Sequence, residues 1–293
     1  ELLSGLFVKY NKDVATIYDL RFPRIIISML AGAAIAVSGV LFQAVLKNPL
    51  ADPGIIGISS GASFTAVIIT AFAPTLYFFT PIAAFAGGVI AFFMVYCLSW
   101  KGGLSPMRII LTGVAVNSLF TGLSSALNSM SGGDRTGVAA IVEANITQKT
   151  WDDVMTLLPY VIAGLFLAML FTQECNLLSL EDKTARSLGV NVNVTRIVIS
   201  LVAVLLASIS TAVAGAISFL GLIVPHIGRI LVGSDHKMLL PFSAVFGAFT
   251  FLLADTIGRT IAAPNEVSAA VIMSVVGGPF FILLLRRSGK YGK

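Results

Sequence analysis

The chain has 293 residues, 57% of them hydrophobic and only 11% charged, with a mean hydropathy of +0.94. A soluble domain carries roughly 25% charged residues, so this composition excludes a soluble globular protein and a disordered one. Nineteen Lys and Arg against fourteen Asp and Glu leave a net charge of +5. Those cations are scattered over short loops and form no single basic face, which excludes nucleic acid as the main partner.

A membrane-spanning helix needs about 20 apolar residues. Residues 1–24 read as an external segment ending in LRFPR, Leu20–Arg24. Runs with few or no charges then predict nine spans: Ile25–Leu46, Ile55–Ala73, Leu76–Trp100, Ile109–Met130, Val154–Phe171, Ile197–Ala214, Gly215–Ile230, Leu239–Ile257 and Val267–Leu285. The expected architecture is an all-α polytopic membrane protein forming one transmembrane domain over residues 1–293. Spans at 25–172 and 197–285 flank a cytoplasmic loop at 173–196, and residues 286–293 form a tail.

Loop charge sets the orientation. Placing Arg286, Arg287, Lys290 and Lys293 in the cytoplasm puts twelve basic residues inside and seven outside, while the acids lean outward. Residues 1–24 then lie outside, and an even number of spans requires one more helix before Glu1.

Several segments stand out from the apolar background. Arg21 and Arg24 in LRFPR, with Arg259 at the far end of a later span, sit on the side that basic anchors avoid. They read either as snorkelling anchors or as a docking ring for carboxylates of a partner. Asn48–Pro53 reads NPLADP, with Gly54 and Gly57 behind it, and its prolines and glycines interrupt a helix. Non-helical backbone at membrane depth must be buried in protein or reached by water. Asn48, Pro49, Asp52 and Pro53 therefore line or gate a pathway, or form a tight inner turn. Gly57-x-x-x-Gly61 is a close-packing signature and points to bundling.

Further along, residues 131–153 read as a polar external loop. Asn176–Val190, NLLSLEDKTARSLGV, reads as one amphipathic helix with Leu178, Ala185 and Leu188 on a face, stopped by Gly189. Its mixed charges, with Glu181 and Asp182 beside Lys183 and Arg186, favour docking to a partner over lying on lipid. Pro225 predicts a kink beside His226, which reads as a structural or interface histidine because Asp255 is the one acid inside a predicted span. Asp255 and Arg259, spaced i, i+4, read as an ion pair. Two cysteines give no disulfide framework and two histidines no His-rich metal site. No phosphate-loop or H-E-x-x-H motif occurs in the sequence, so enzymatic chemistry is poorly supported.

Four segments carry a resemblance to a known family: Arg21–Ser63, Asn176–Val190, Ile217–Ala248 and Leu252–Leu285. In order and at matching separations they resemble the iron–siderophore/vitamin B12 family of ABC-importer permeases. The resemblance covers almost the whole chain, and the loop at 131–153 matches least. It implies the ten-helix type II importer fold without its first helix, in a bacterial inner or plasma membrane with a cytoplasmic C-terminus. It implies a second permease protomer, identical or not, two cytoplasmic ATPase subunits carrying ATP and magnesium, and an external substrate-binding protein. The cargo would be a metal chelate, a siderophore first and haem next, with a cobalamin importer of the same family as the alternative. Outside the resemblance, an ion-coupled secondary transporter is the alternative from another class, and it would need intramembrane ionisable residues, of which Asp255 is the one candidate. No cofactor or metal is expected in the chain itself. By the same resemblance, Arg21, Arg24 and Arg259 would meet acids of the binding protein. Glu181, Ala185, Arg186 and Gly189, joined by Gly233 and Asp235, would couple to the ATPase.

Overall fold

The computed structural model describes residues 17–99, 106–130 and 136–288, and every regular element among them is helical. A π-helical turn at Ile17–Arg21 leads into α1 (Phe22–Leu46). Then come α2 (Ile58–Phe72), a 3-10 turn (Pro74–Phe79), α3 (Thr80–Ser99), α4 (Pro106–Met130), α5 (Thr136–Val142) and α6 (Trp151–Leu170). The second half holds α7 (Thr172–Leu178), α8 (Asp182–Ser187), α9 (Val192–Ala214), α10 (Leu220–Val232), α11 (His236–Ile261) and α12 (Ala269–Ser288). Lys9, Lys12, Lys101, Arg135, Lys290 and Lys293, used in the charge argument, lie outside the described residues.

Among the described residues six helical runs are long and apolar enough to cross a membrane: Tyr18–Leu46, Pro74–Ser99, Met107–Met130, Trp151–Leu170, Val192–Ala214 and His236–Ile261. The other three predicted spans correspond to shorter apolar helices, Ile58–Phe72, Leu220–Val232 and Ala269–Leu284. At 13 residues, α10 rises only ~20 Å, less than the ~30 Å hydrocarbon layer. The predicted span over Gly215–Ile230 is thus shortened, because Gly215 closes α9 at φ 78° and Phe219 is left-handed at φ 67°. Residues 215–219 form a non-helical link.

Helices α1 and α9 form the interior. Helix α1 packs on α11, α9, α10 and α6, and α9 also packs on α3, α6 and α2. Close approach depends on small residues facing each other, as at membrane helix contacts generally. A Cβ on Gly32 would overlap the Gly247 carbonyl oxygen of α11, and one on Gly61 would come within 2.7 Å of the Gly87 oxygen of α3. Gly61 is therefore a packing residue. Gly57, at φ 88°, caps the start of α2 against α4, where a Cβ would lie 3.1 Å from the Gly113 oxygen.

Two other expectations change. The polar loop at 131–153 contains α5, and α6 begins at Trp151, three residues before the predicted Val154. A capping box at Thr150 and Asp153 starts α6 there. The single amphipathic helix over Asn176–Val190 is two short helices, α7 and α8, separated at Ser179–Glu181. Leu178 and Ala185 are buried as expected, but Leu188 is 60% exposed.

Gly32→Ala should lower stability by about 1–3 kcal/mol, the cost of forcing atoms into a packed contact. Gly122→Ala, where a Cβ meets nothing within 4 Å, should change it by less than about 0.5 kcal/mol. Thermal unfolding of the detergent-purified chain measures both.

Candidate functional site

Polar side chains gather at the two ends of the bundle. At one end, α1 begins with Phe22–Pro23, proline being favoured in the first helical turn. Arg24 follows and turns inward, with its side chain only 8% exposed. Its Nη2 donates to Asp255 Oδ1 at 2.8 Å and its Nε to Oδ2 at 3.0 Å, a bidentate pair. Its Nη1 donates to Glu266 Oε2 at 2.8 Å, and the Thr147 hydroxyl donates to the same oxygen at 2.8 Å. Arg259 adds a longer contact, with Nε 3.4 Å from Asp255 Oδ2. This cluster ties α1, α11, the segment before α12 and the segment before α6. Partial burial of Glu266 opposes ionisation, but the bonds from Arg24 and Thr147 outweigh it and hold its carboxyl below the usual range.

The expected i, i+4 pair thus exists, but Arg24 is the main partner of Asp255. Arg24 is also withdrawn from the predicted exposed ring, because desolvating Asp255 inside the bundle requires a bidentate cation beside it. Of the three arginines, Arg21 is exposed and Arg259 is partly so, while Arg24 is buried. Glu266 and Thr147 were not anticipated. They sit in irregular segments where no periodicity marks them.

At the opposite end, two clusters hold α7 and α8. Asp182, at the start of α8, accepts from Lys47 Nζ at 2.7 Å and from Arg196 Nη2 at 2.8 Å and Nη1 at 3.1 Å. Lys47 also donates to the carbonyl of Leu180, which lies in the break between α7 and α8. The Lys47 hydrogen bond, opposed by slight burial and assisted by Arg196, holds the Asp182 carboxyl below its usual range. Helix α8 ends in a Schellman motif, with Gly189 N–H on Arg186 O at 3.0 Å and Val190 N–H on Ala185 O at 3.2 Å. Gly189 has φ 85°, as that cap requires. Ala185 is buried beneath α8, and Glu181, Arg186 and Gly189 face outward.

Beside it, Asn176 of α7 bridges to the turn between α10 and α11. Its Nδ2 donates to Asp235 Oδ1 at 2.7 Å, and its Oδ1 accepts from His236 N at 3.0 Å and lies 2.7 Å from His236 Nδ1. Asp235 caps α11 by accepting from Lys237 N at 2.9 Å. That bond, then the one from Asn176, lowers its carboxyl below the usual range. Gly233 and Asp235 are exposed next to it.

Between the ends, NPLADP forms a packed turn. Asp52 is fully buried, and its Oδ1 accepts from Gly54 N at 2.8 Å and Ile55 N at 3.1 Å. Asn48 Oδ1 accepts from Leu50 N at 3.0 Å. Pro53 is buried and Pro49 exposed, so the segment matches the tight-turn alternative. Pro225 lies inside α10 without ending it. It leaves the Gly221 carbonyl without its i+4 donor, and Gln43 Nε2 supplies one at 3.2 Å. His226 meets the Phe280 ring edge-on at 5.5 Å.

A cleft of about 810 Å³ near the Arg24 end runs between the end of α5 and α12. Val142, Ala216, Ala270 and Val271 give it an apolar wall, and Glu143, Asn145, Glu266 and Ser268 supply its polar groups. Its volume lies within the roughly 300–1,000 Å³ typical of small-molecule sites. Among the described residues no group of three or more His, Cys, Asp or Glu is arranged to hold a metal ion.

A bundle of apolar helices with polar clusters at both ends and a cleft opening at one of them is the form of a membrane transport subunit. The profile of the FecCD transport family matches residues 1–287, and the chain belongs to that family. It is a multi-pass membrane permease. It is 42% identical over 289 residues to the "Probable heme-iron transport system permease protein IsdF" of Staphylococcus aureus strain Newman, covering 97% of this chain and 88% of that one. The fold matches a metal-chelate type ABC transporter in an inward-facing conformation, at TM-score 0.80 and 28% identity, over 96% of this chain and 91% of that one. It also matches PsaBC from Streptococcus pneumoniae in complex with Fab, at TM-score 0.64 and 18% identity, over 96% and 93% of the two chains. At that identity the likeness concerns the fold alone.

Removing Arg24 leaves Asp255 buried without its main counter-charge, so Arg24→Ala should destabilise the chain by about 3–5 kcal/mol. Arg21→Ala, at an exposed position, should change stability by under about 0.5 kcal/mol. Thermal unfolding in detergent separates the two. The lowered carboxyl of Asp182 gives stability that is present above its unfolded value of about 4 and lost as pH falls through the lower folded one. Asp182 is 40% exposed, so solvent screening limits the effect to about 1 kcal/mol or less. Asp182→Asn should therefore cost stability at pH 7 and at pH 5, and the difference from the parent should vanish at the acid limit of a pH-dependent denaturation series.

Proposed function

We propose that this chain is the permease subunit of an ATP-driven importer that moves an iron chelate, haem first and a siderophore second, into the cytoplasm by alternating access. The observation that carries this reading is the 42% identity over 97% of the chain to a protein named as a haem-iron permease. The apolar-walled cleft of about 810 Å³ supports it, since a bulky, mostly flat chelate needs room and few fixed polar groups.

In this reading the Arg24 end faces outward and the Lys47 end, with the C-terminus, faces the cytoplasm, as the loop charges favour. Arg21 and Arg259 are the exposed or half-exposed cations available to acids of an external binding protein. Arg24 acts behind them by fixing Asp255 and Glu266. At the cytoplasmic end Glu181, Arg186 and Gly189 of the α8 segment, with Gly233 and Asp235 beside them, meet two ATPase subunits, and Ala185 seats α8 on the bundle. ATP and magnesium belong to those subunits, and this chain contributes no cofactor. A second permease protomer completes the path along its open face. Nucleotide-driven movement of the ATPases would shift α7 and α8 and open the cleft to alternate sides.

The test is uptake into proteoliposomes containing the permease, its ATPase and its binding protein, loaded in turn with haem and with a ferric siderophore. ATP-dependent haem uptake is expected, with the siderophore carried at least tenfold more slowly. Uptake driven by an ion gradient without the ATPase would overturn the reading. In the same system Arg21→Glu with Arg259→Glu should weaken association of the binding protein by tenfold or more at low salt, measured by surface-immobilised titration.

A further inference from the structure

The two cytoplasmic segments that the importer reading assigns to the ATPase come from distant parts of the chain. One is α8 with its flanks, and the other is the turn between α10 and α11. The covalent path between them runs through α9 and α10. Each has a glycine in the left-handed region at one end, Gly189 at φ 85° and Gly233 at φ 86°, where an added Cβ would meet nothing within 4 Å. Neither glycine is wedged by a neighbour, so neither segment is held in place there.

Asn176 joins them. Its amide reaches three groups of the second segment: the Asp235 carboxylate, the His236 backbone N–H and the His236 ring. The orientation of the amide follows from these partners. The oxygen must face the two nitrogens of His236, and the NH2 must face the carboxylate, because the reverse would place donors against a donor and an acceptor against an acceptor. The ring nitrogen Nδ1 therefore carries a hydrogen. Helix α7 in turn packs on α1, α8 and α11. Asp182 fastens α8 to α1 and α9 through Lys47 and Arg196. Beside the packing of α7 on α11, Asn176 is thus the direct hydrogen-bonded link between the α7–α8 region and the second segment.

We propose that Asn176 is a positioning residue for energy coupling. It fuses the α8 segment and the Gly233–Lys237 turn into one rigid plate, so that both follow the ATPase together and drive the bundle. This inference rests on the importer reading above.

The complete importer in proteoliposomes, with haem delivered by the binding protein as the probe, tests it. Asn176→Asp keeps the shape and the acceptor for His236, but loses the donor and sets a carboxylate against Asp235. Asn176→Ala removes all three bonds. For both, ATPase binding is expected to stay within twofold of the parent and ATP hydrolysis within threefold, while haem imported per ATP falls tenfold or more. An unchanged ratio of haem to ATP in Asn176→Asp, with normal ATPase binding, overturns the proposal. So does loss of folding or ATPase binding in both variants, which would make Asn176 a residue of the fold alone. If the parent complex shows no ATP-linked uptake, the importer reading itself fails. If the parent couples and the variants match it, only the role of Asn176 fails.

Discussion

Lipid offers no hydrogen bonds, so polar groups inside the bundle gain from partners within the chain. This constraint explains the long-range polar contacts. Pro225 cannot donate to the Gly221 carbonyl, and Gln43, on a different helix, does so at 3.2 Å. The same Nε2 donates to Ala51 O at 3.2 Å, which fastens the NPLADP turn to α10. The Ser38 hydroxyl of α1 donates to Ala203 O of α9 at 2.7 Å. Each contact also fixes the register of α1 against a neighbour. The polar groups that the bilayer would penalise become the joints of the bundle.

At the Arg24 end the same constraint decides between two uses of a cation. An arginine at an interface can serve a partner or a buried acid of its own chain. Asp255 is almost wholly buried, and an uncompensated carboxylate there would cost several kcal/mol. Arg24 is the cation placed to meet it bidentately, and Arg259, one turn further along α11, reaches it only at 3.4 Å. Arg24 is therefore committed, and Arg259 keeps part of its capacity for contacts outside the chain.

The helices were legible because an apolar run of about 20 residues has few alternatives, and eight of the nine predicted stretches coincide closely with helical runs. What the periodicity could not reveal lies in non-helical residues. Phe219, a bulky residue at positive φ, shortens α10 where hydropathy alone runs on. The amphipathic pattern of Asn176–Val190 is interrupted at Ser179–Glu181, where Lys47, 133 residues away, donates to the Leu180 carbonyl. Leu188 faced inward in the pattern, but the break turns it outward. Of the site, the residue types at both ends were readable from charge against an apolar background. Their pairing was not, because Arg24 with Glu266 and Asn176 with Asp235 are contacts that only the folded topology brings together.

Helix α1 connects the two ends. It carries Arg24 in its first turn and Lys47 just past its last, with 25 residues between the helix limits, a span of roughly 37 Å. It is almost entirely buried, and glycine contacts lock it to α11 at Gly32 and to α10 at Gly39. A close-packed helix of this kind transmits displacement because it lacks the free volume to absorb it. Asp182 ties α8 to Lys47, and at the far end Arg24 holds Asp255 and Glu266, the latter lining the cleft. The polar clusters are thus the two fittings of a single rod. If the bundle alternates its access, α1 and the helices locked to it must move as one body. The rearrangement then falls to the non-helical segments, 215–219 and 262–268, that border the cleft.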